Sequence, residues 1–135
     1  MQLTKNFSLE ELTYSEWTDA HNIENIPTDS EVYNLTALAQ DVLQPIRDIL
    51  GVPITINSGF RSKTVNDGVG SKDSSQHRKG EAADLECPKL GNKALYDAIV
   101  KHGVYDQIIN EYGLAWVHVS HKADLPDRHQ QLKIK

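Results

Sequence analysis

The stretch Ser75-Gln-His77-Arg-Lys-Gly80-Glu-Ala-Ala-Asp84 places an imidazole and a carboxylate seven residues apart with a glycine between them. Neutral imidazole and carboxylate are ordinary ligands of Zn²⁺. If residues 82–86 are extended, Asp84 shares a face with Ala82 and Glu86, while Ala83, Leu85 and Cys87 share the other. Leu85 is the natural core residue, so Asp84 faces away from the packing. Gly80 has no side chain to oppose the reversal that would return His77 to Asp84. A third ligand is available in Trp116-Val-His118-Val-Ser-His121. Val117 and Val119 pack, leaving His118 on the opposite face with Trp116. His121 lies at an odd offset from His118, so on a continuous strand it faces the other way and reads as a polar strand-end residue.

Two histidines and one aspartate leave a tetrahedral position open, as in catalytic zinc; structural zinc is closed by four ligands, usually with cysteines. The single cysteine, Cys87, falls on the core face of its strand and reads as a small buried hydrophobe. Catalytic zinc makes water a nucleophile near neutral pH. A nearby carboxylate can then deliver the proton to a leaving amine. Glu111, seven residues before His118 across a turn at Gly113, is the candidate acid/base, and Glu86 is a weaker alternative on the Asp84 face. Plainer readings stand beside these. Glu111 could be a hairpin-end charge, Arg61 the partner of a carboxylate such as Asp84 or Glu86, and Ser75 a turn hydroxyl bonded to its own backbone. Trp116 lines the cleft or roofs it. The remaining histidines, His21, His102 and His129, take surface roles by default.

These residues need a scaffold. Ser8 caps a short helix over residues 8–17, with Glu10 and Glu11 in its first turn, and residues 18–27 read as a polar loop. Thr28-Asp-Ser-Glu31 has capping-box spacing, and apolar residues from Val32 to Leu50 follow at three-and-four spacing. The spacing predicts a core helix over 31–50, with a kink or break at Pro45 and a stop at Gly51. Ile54–Ser58, Ala82–Cys87, Val104–Glu111 and Ala115–Ser120 read as strands, with a further strand at Gln131–Ile134. A helix is expected over Asn92–His102, and a single helical turn near Thr64–Val69 within the long polar connection 59–81. Strands and helices mix without regular βαβ alternation, so the class is α+β: a small antiparallel sheet packed on helices, with a zinc cleft.

The chain has 135 residues, which predicts one domain over 1–135. Lysine and arginine number 14 against 19 aspartates and glutamates, a net charge of −5, which excludes a generally basic nucleic-acid binder. One cysteine excludes an intramolecular disulfide. No apolar run reaches the ~20 residues of a membrane span, so no membrane insertion is expected. The first residues lack the apolar stretch of a secretory signal, which sets the expectation of synthesis in the cytoplasm with any export owed to another factor.

Ser-x-His-x-x-Gly-x-Ala-x-Asp over residues 75–84, followed by Trp-Val-His-Val-Ser at 116–120, resembles the family of zinc D-Ala-D-Ala carboxypeptidases and L-alanyl-D-glutamate endopeptidases. Phe7-Ser-Leu-Glu-Glu-Leu-Thr, Val42-Leu-Gln-Pro-Ile-Arg47, Ile56-Asn-Ser-Gly-Phe-Arg61-Ser and Tyr105-Asp-Gln-Ile-Ile are similar to its small phage-type members, so the resemblance spans roughly residues 7–121. It implies the Hedgehog/DD-peptidase fold, one zinc ion on His77, Asp84 and His118, an oxyanion-stabilising Arg61, and a Ser75 that helps hold a substrate end. It implies a peptidase acting on peptidoglycan stem peptides, expected as a monomer, of the phage or prophage lytic kind that reaches the wall after holin-type release or on a virion. Several members carry the catalytic carboxylate three residues before the last zinc histidine. Here that position is Ala115, which leaves the role to Glu111 and keeps open an inactive zinc-bearing binding module of the same fold.

Overall fold

The computed structural model describes residues 1–135. Helix α1 (Leu9–Thr13) starts on a capping box in which the Ser8 hydroxyl accepts from the Glu11 amide and the Glu11 carboxylate accepts from the Ser8 amide. It is shorter than the helix expected over 8–17. Tyr14 is extended and the chain restarts as α2 (Glu16–His21), which occupies part of the predicted 18–27 loop and ends on Asn22 in the left-handed region.

The long helix is three consecutive segments: α3 (Asp29–Leu38), a π-helical turn (Ala39–Leu43) and α4 (Gln44–Leu50). A capping box between Thr28 and Glu31 opens it, and Gly51, at φ 68°, closes it. The expected interruption at Pro45 takes the form of that π turn. Pro45 has no N–H to offer the Asp41 carbonyl, and the Gln44 amide reaches back five residues to Ala39. The stranded Asp41 carbonyl accepts instead from His102 Nε2 at 2.9 Å. Leu35, Leu38, Ala39, Val42, Leu43 and Ile46 are buried. The wide turn shifts the helix face, so Ile49 lies exposed while Leu50 packs against the core.

Strands β1 (Thr55–Ser58), β2 (Ala82–Glu86), β3 (Gln107–Glu111), β4 (Trp116–Ser120) and β5 (Gln130–Ile134) form one sheet in the order β1-β2-β4-β3-β5. The sheet is antiparallel except at one edge, where β5 runs parallel to β3. The expected small antiparallel sheet thus has one parallel pair at this edge: the chain leaves β4 through a nine-residue connection, 121–129, long enough to pass β3 and re-enter alongside it in the same sense. One face carries Ala83, Leu85, Ile108, Val117 and Val119 into the core against α3, the π turn, α4 and α6 (Asn92–His102). The other face carries Asp84, Ile109 and His118. Helix α5 (Lys63–Gly68) and a 3₁₀ turn (Gln76–Lys79) lie in the connection between β1 and β2.

Candidate metal centre

The register of β2 against β4 sets Asp84 directly across from His118. Cross-strand neighbours on one face are close enough to touch, and His118 Nδ1 lies 3.0 Å from Asp84 Oδ1. His77 arrives from the 3₁₀ turn, which Gly80 ends at φ 76°. Its Nε2 lies 3.3 Å from the same Asp84 oxygen. A side chain at 80 would be strained by that φ and would also meet the Glu31 carbonyl at 2.7 Å. The glycine is therefore required twice over.

His77 Nδ1 donates to the Gly59 carbonyl at 2.7 Å, which fixes the ring and directs Nε2 inward. The Arg61 amide donates to the His77 carbonyl at 2.9 Å, tying the turn to the segment after β1. The ligand atoms of His77, Asp84 and His118 all lie within 4.8 Å of one another, and the two imidazoles meet edge to face. Two nitrogens and one carboxylate oxygen gathered on one point, with one ring already anchored through its other nitrogen, suit a single divalent ion. Burial pushes the Asp84 carboxyl up, but His77 and then His118 outweigh it and hold Asp84 below its ordinary range.

Seven of the residues singled out in the sequence border one cleft of about 440 Å³: Arg61, Ser75, His77, Asp84, Glu111, Trp116 and His118. Glu111 and Trp116 face each other across β3 and β4. Burial raises the Glu111 carboxyl above its ordinary value, Asp84 adds to this, and His118 and Trp116 pull it partly back. Arg61 forms no ion pair; its Nε is buried without a hydrogen-bond partner. The reading of Arg61 as the salt-bridge partner of Asp84 or Glu86 therefore does not hold. Burial lowers its pKa while Asp84 and Glu111 raise it. The Ser75 hydroxyl accepts from the His77 amide at 3.3 Å, so it caps the turn, and its own hydrogen remains free to donate into the cleft.

Glu86 is held by Asn57 Nδ2 at 2.8 Å and does not border this cleft. His121 lies outside it as well, between Asp127 (2.7 Å from Nδ1) and Asp41 (2.9 Å from Nε2). Sequence reasoning missed Tyr112, which packs edge to face on Trp116 at 5.2 Å and lines the cleft from the β3–β4 turn. It also missed the second, larger groove. That groove measures about 840 Å³, shares Arg61, Val69 and Asp84 with the first, and runs between α2 and the edge strand β1. Its α2 wall is stiffened by Trp17, which stacks on His21 at 4.0 Å and lies against the backbone of Gly68. The missed signal was α2 itself.

Residues 5–120 match the model of the peptidase M15 family, and the chain belongs to that family. A segment of 62 residues is 47% identical to the zinc D-Ala-D-Ala carboxypeptidase of Streptomyces albus G. That segment covers 45% of this chain and 24% of the carboxypeptidase, so the likeness concerns a small part of the longer protein. The mixed α+β sheet architecture accords with this membership.

Proposed function

We propose that this chain is a zinc-dependent peptidase that hydrolyses a peptide bond in peptidoglycan stem peptides, as a wall-lytic enzyme of phage or prophage type. The observation that carries the reading is the convergence of His77 Nε2 and His118 Nδ1 on one oxygen of Asp84, beside an unpaired Arg61 and a Glu111 whose carboxyl burial raises above its ordinary value. His77, Asp84 and His118 would hold the ion. Zinc, when bound, supplies Lewis acidity: it polarises a carbonyl and acidifies water. Glu111 takes the proton of the attacking water as the new C–O bond forms. Arg61 donates to the carbonyl oxygen where negative charge gathers. Glu111 then returns the proton to the departing amine as the C–N bond breaks. Ser75 and Trp116 border the cleft where the substrate would be oriented, and the adjoining groove along β1 offers room for further residues of an extended chain.

The test is incubation of purified peptidoglycan with the zinc-loaded protein, the chelated protein and Glu111→Gln, followed by mass spectrometry of released fragments. New amino and carboxyl termini from the zinc-loaded protein alone support the proposal and name the bond. An inactive zinc-bearing module, the reading that Ala115 keeps open, predicts wall binding with no fragment released by any sample.

A further inference from the structure

The family match ends at residue 120, yet the segment that follows reaches back to the metal centre. Asp106, at the entry to β3, is a fully buried carboxylate. Its Oδ1 accepts from the Arg128 amide at 2.8 Å and from Arg128 Nε at 3.1 Å. Its Oδ2 accepts from Arg128 Nη2 at 2.6 Å and from Gln76 Nε2 at 2.9 Å. Gln76 is the residue immediately before His77 in the 3₁₀ turn. The arginine of the tail and the residue beside a candidate metal ligand thus grip the same oxygen.

We propose that Arg128 and Gln76 are positioning residues for His77, acting through Asp106, so that the segment after residue 120 helps set the geometry of the metal site. This rests on the reading of His77 as a metal ligand. The amide of Gln76 carries the strongest mark of such a role. Its Oε1 is buried without a partner, while its Nε2 is spent on Asp106. A buried, half-satisfied amide is unfavourable and calls for a reason. Asp106, an acceptor only, dictates which way round the amide must lie. The turn is then held from two sides, by Gly59 and Arg61 on one and by Asp106 on the other. Residues that orient a metal ligand in this way typically alter metal affinity by about 10–100-fold when removed. The tail strand does little for the core, since every residue of β5 is exposed.

The experiment uses the full chain and compares Gln76→Leu, Arg128→Met, Arg128→Lys and His121→Asn. His121 ties the same tail to Asp41, away from the metal site, and so reports on loss of attachment alone. Zinc affinity is read by competition with a chromogenic chelator, and the melting temperature is read on the metal-free protein. Gln76→Leu and Arg128→Met should weaken zinc binding by about 10–100-fold. Arg128→Lys, which keeps the cation without the fork, should recover part of that loss. His121→Asn should lower the melting temperature and leave zinc affinity at the wild-type level. The proposal is overturned if Gln76→Leu and Arg128→Met bind zinc as wild type does, whatever their melting temperatures, or if His121→Asn weakens zinc binding equally. Should Arg128→Met fail to fold, Gln76→Leu decides alone. A wild-type chain that binds no zinc overturns the metal reading itself, a result visible before any variant is made.

Discussion

Asp84 is the one side chain that touches both imidazoles, and it does so through a single oxygen, 3.3 Å from His77 and 3.0 Å from His118. That sharing divides the labour of the cleft. In the proposed mechanism His77, Asp84 and His118 would retain the metal, whereas proton transfer would fall to Glu111, which lies across from Trp116 on the neighbouring strand. The two functions should therefore separate by mutation. His118→Ala removes a nitrogen that nothing nearby replaces, and elemental analysis of the purified variant should find the stoichiometric zinc lost together with hydrolysis. Glu111→Gln should keep the zinc and lower the turnover of wall fragments by about 10²–10⁴-fold, the usual worth of a positioned acid/base. Glu86→Gln should turn over normally, because Asn57 holds that carboxylate outside the cleft. If Glu86→Gln is the crippled variant instead, the assignment of the proton carrier is wrong.

At the scale of elements, the loop that carries His77 works only because Gly80 lets it return. Gly80→Ala adds a Cβ at φ 76° that would lie 2.7 Å from the Glu31 carbonyl and 3.2 Å from Leu35 Cγ. The left-handed backbone alone costs a residue other than glycine about 1–2 kcal/mol, and the contact with α3 adds to it. A lower melting temperature should accompany weaker zinc binding in this variant, both read on the same preparation; unchanged values for both would refute the account of the turn. The glycine, the Thr28–Glu31 capping box and the Ser8 cap were legible in the sequence, because each acts through neighbours a few residues away; the return half of the first box, from Glu11 to the Ser8 amide, was not. So was the direction of His118, since Val117 and Val119 alternate with it. The meeting of Asp84 with His118 was legible only as a possibility, because their register belongs to the pairing of β2 with β4 across 34 residues. Helix α2 escaped notice because Ser15 makes no side-chain cap and Thr18 is its only buried residue, so neither capping nor periodicity marks it. The π turn was visible as a proline inside a helical pattern, but its form depends on His102, 61 residues away, accepting the task of satisfying Asp41. Strand β5 shows no buried face from which its parallel pairing could be read.

The molecule as a whole is acidic, with a net charge of −5, yet its stability should fail on the acid side through carboxylates that are paired rather than through the bulk of exposed ones. Burial pushes the Asp106 carboxyl up, but hydrogen bonds from Arg128 and Gln76 prevail and hold it well below its ordinary range. In the unfolded chain Asp106 titrates near the usual ~3.9. The unfolded state consequently binds more protons than the folded state in the interval below that value, and stability rises with pH there. The contribution is complete above the ordinary carboxylate range and is lost as the pH falls toward the depressed folded value. Asp84 has the same sign in the metal-free chain, because the imidazoles lower it. The metal-free protein should therefore melt at steadily lower temperature as the pH falls from about 5 to 3, around and below these carboxylate values. Asp106→Asn should be destabilised at neutral pH by about 1–2 kcal/mol, the lower part of the range for a hydrogen bond to a charged group because Arg128 is partly exposed. Having no carboxyl at 106 to protonate, it should also lose less on acidification than the wild type. Melting curves of both proteins in chelator across that pH range would show the two profiles converging toward the acid end; profiles that stay parallel would mean that the Asp106–Arg128 pair is not what ties the tail to the rest of the fold.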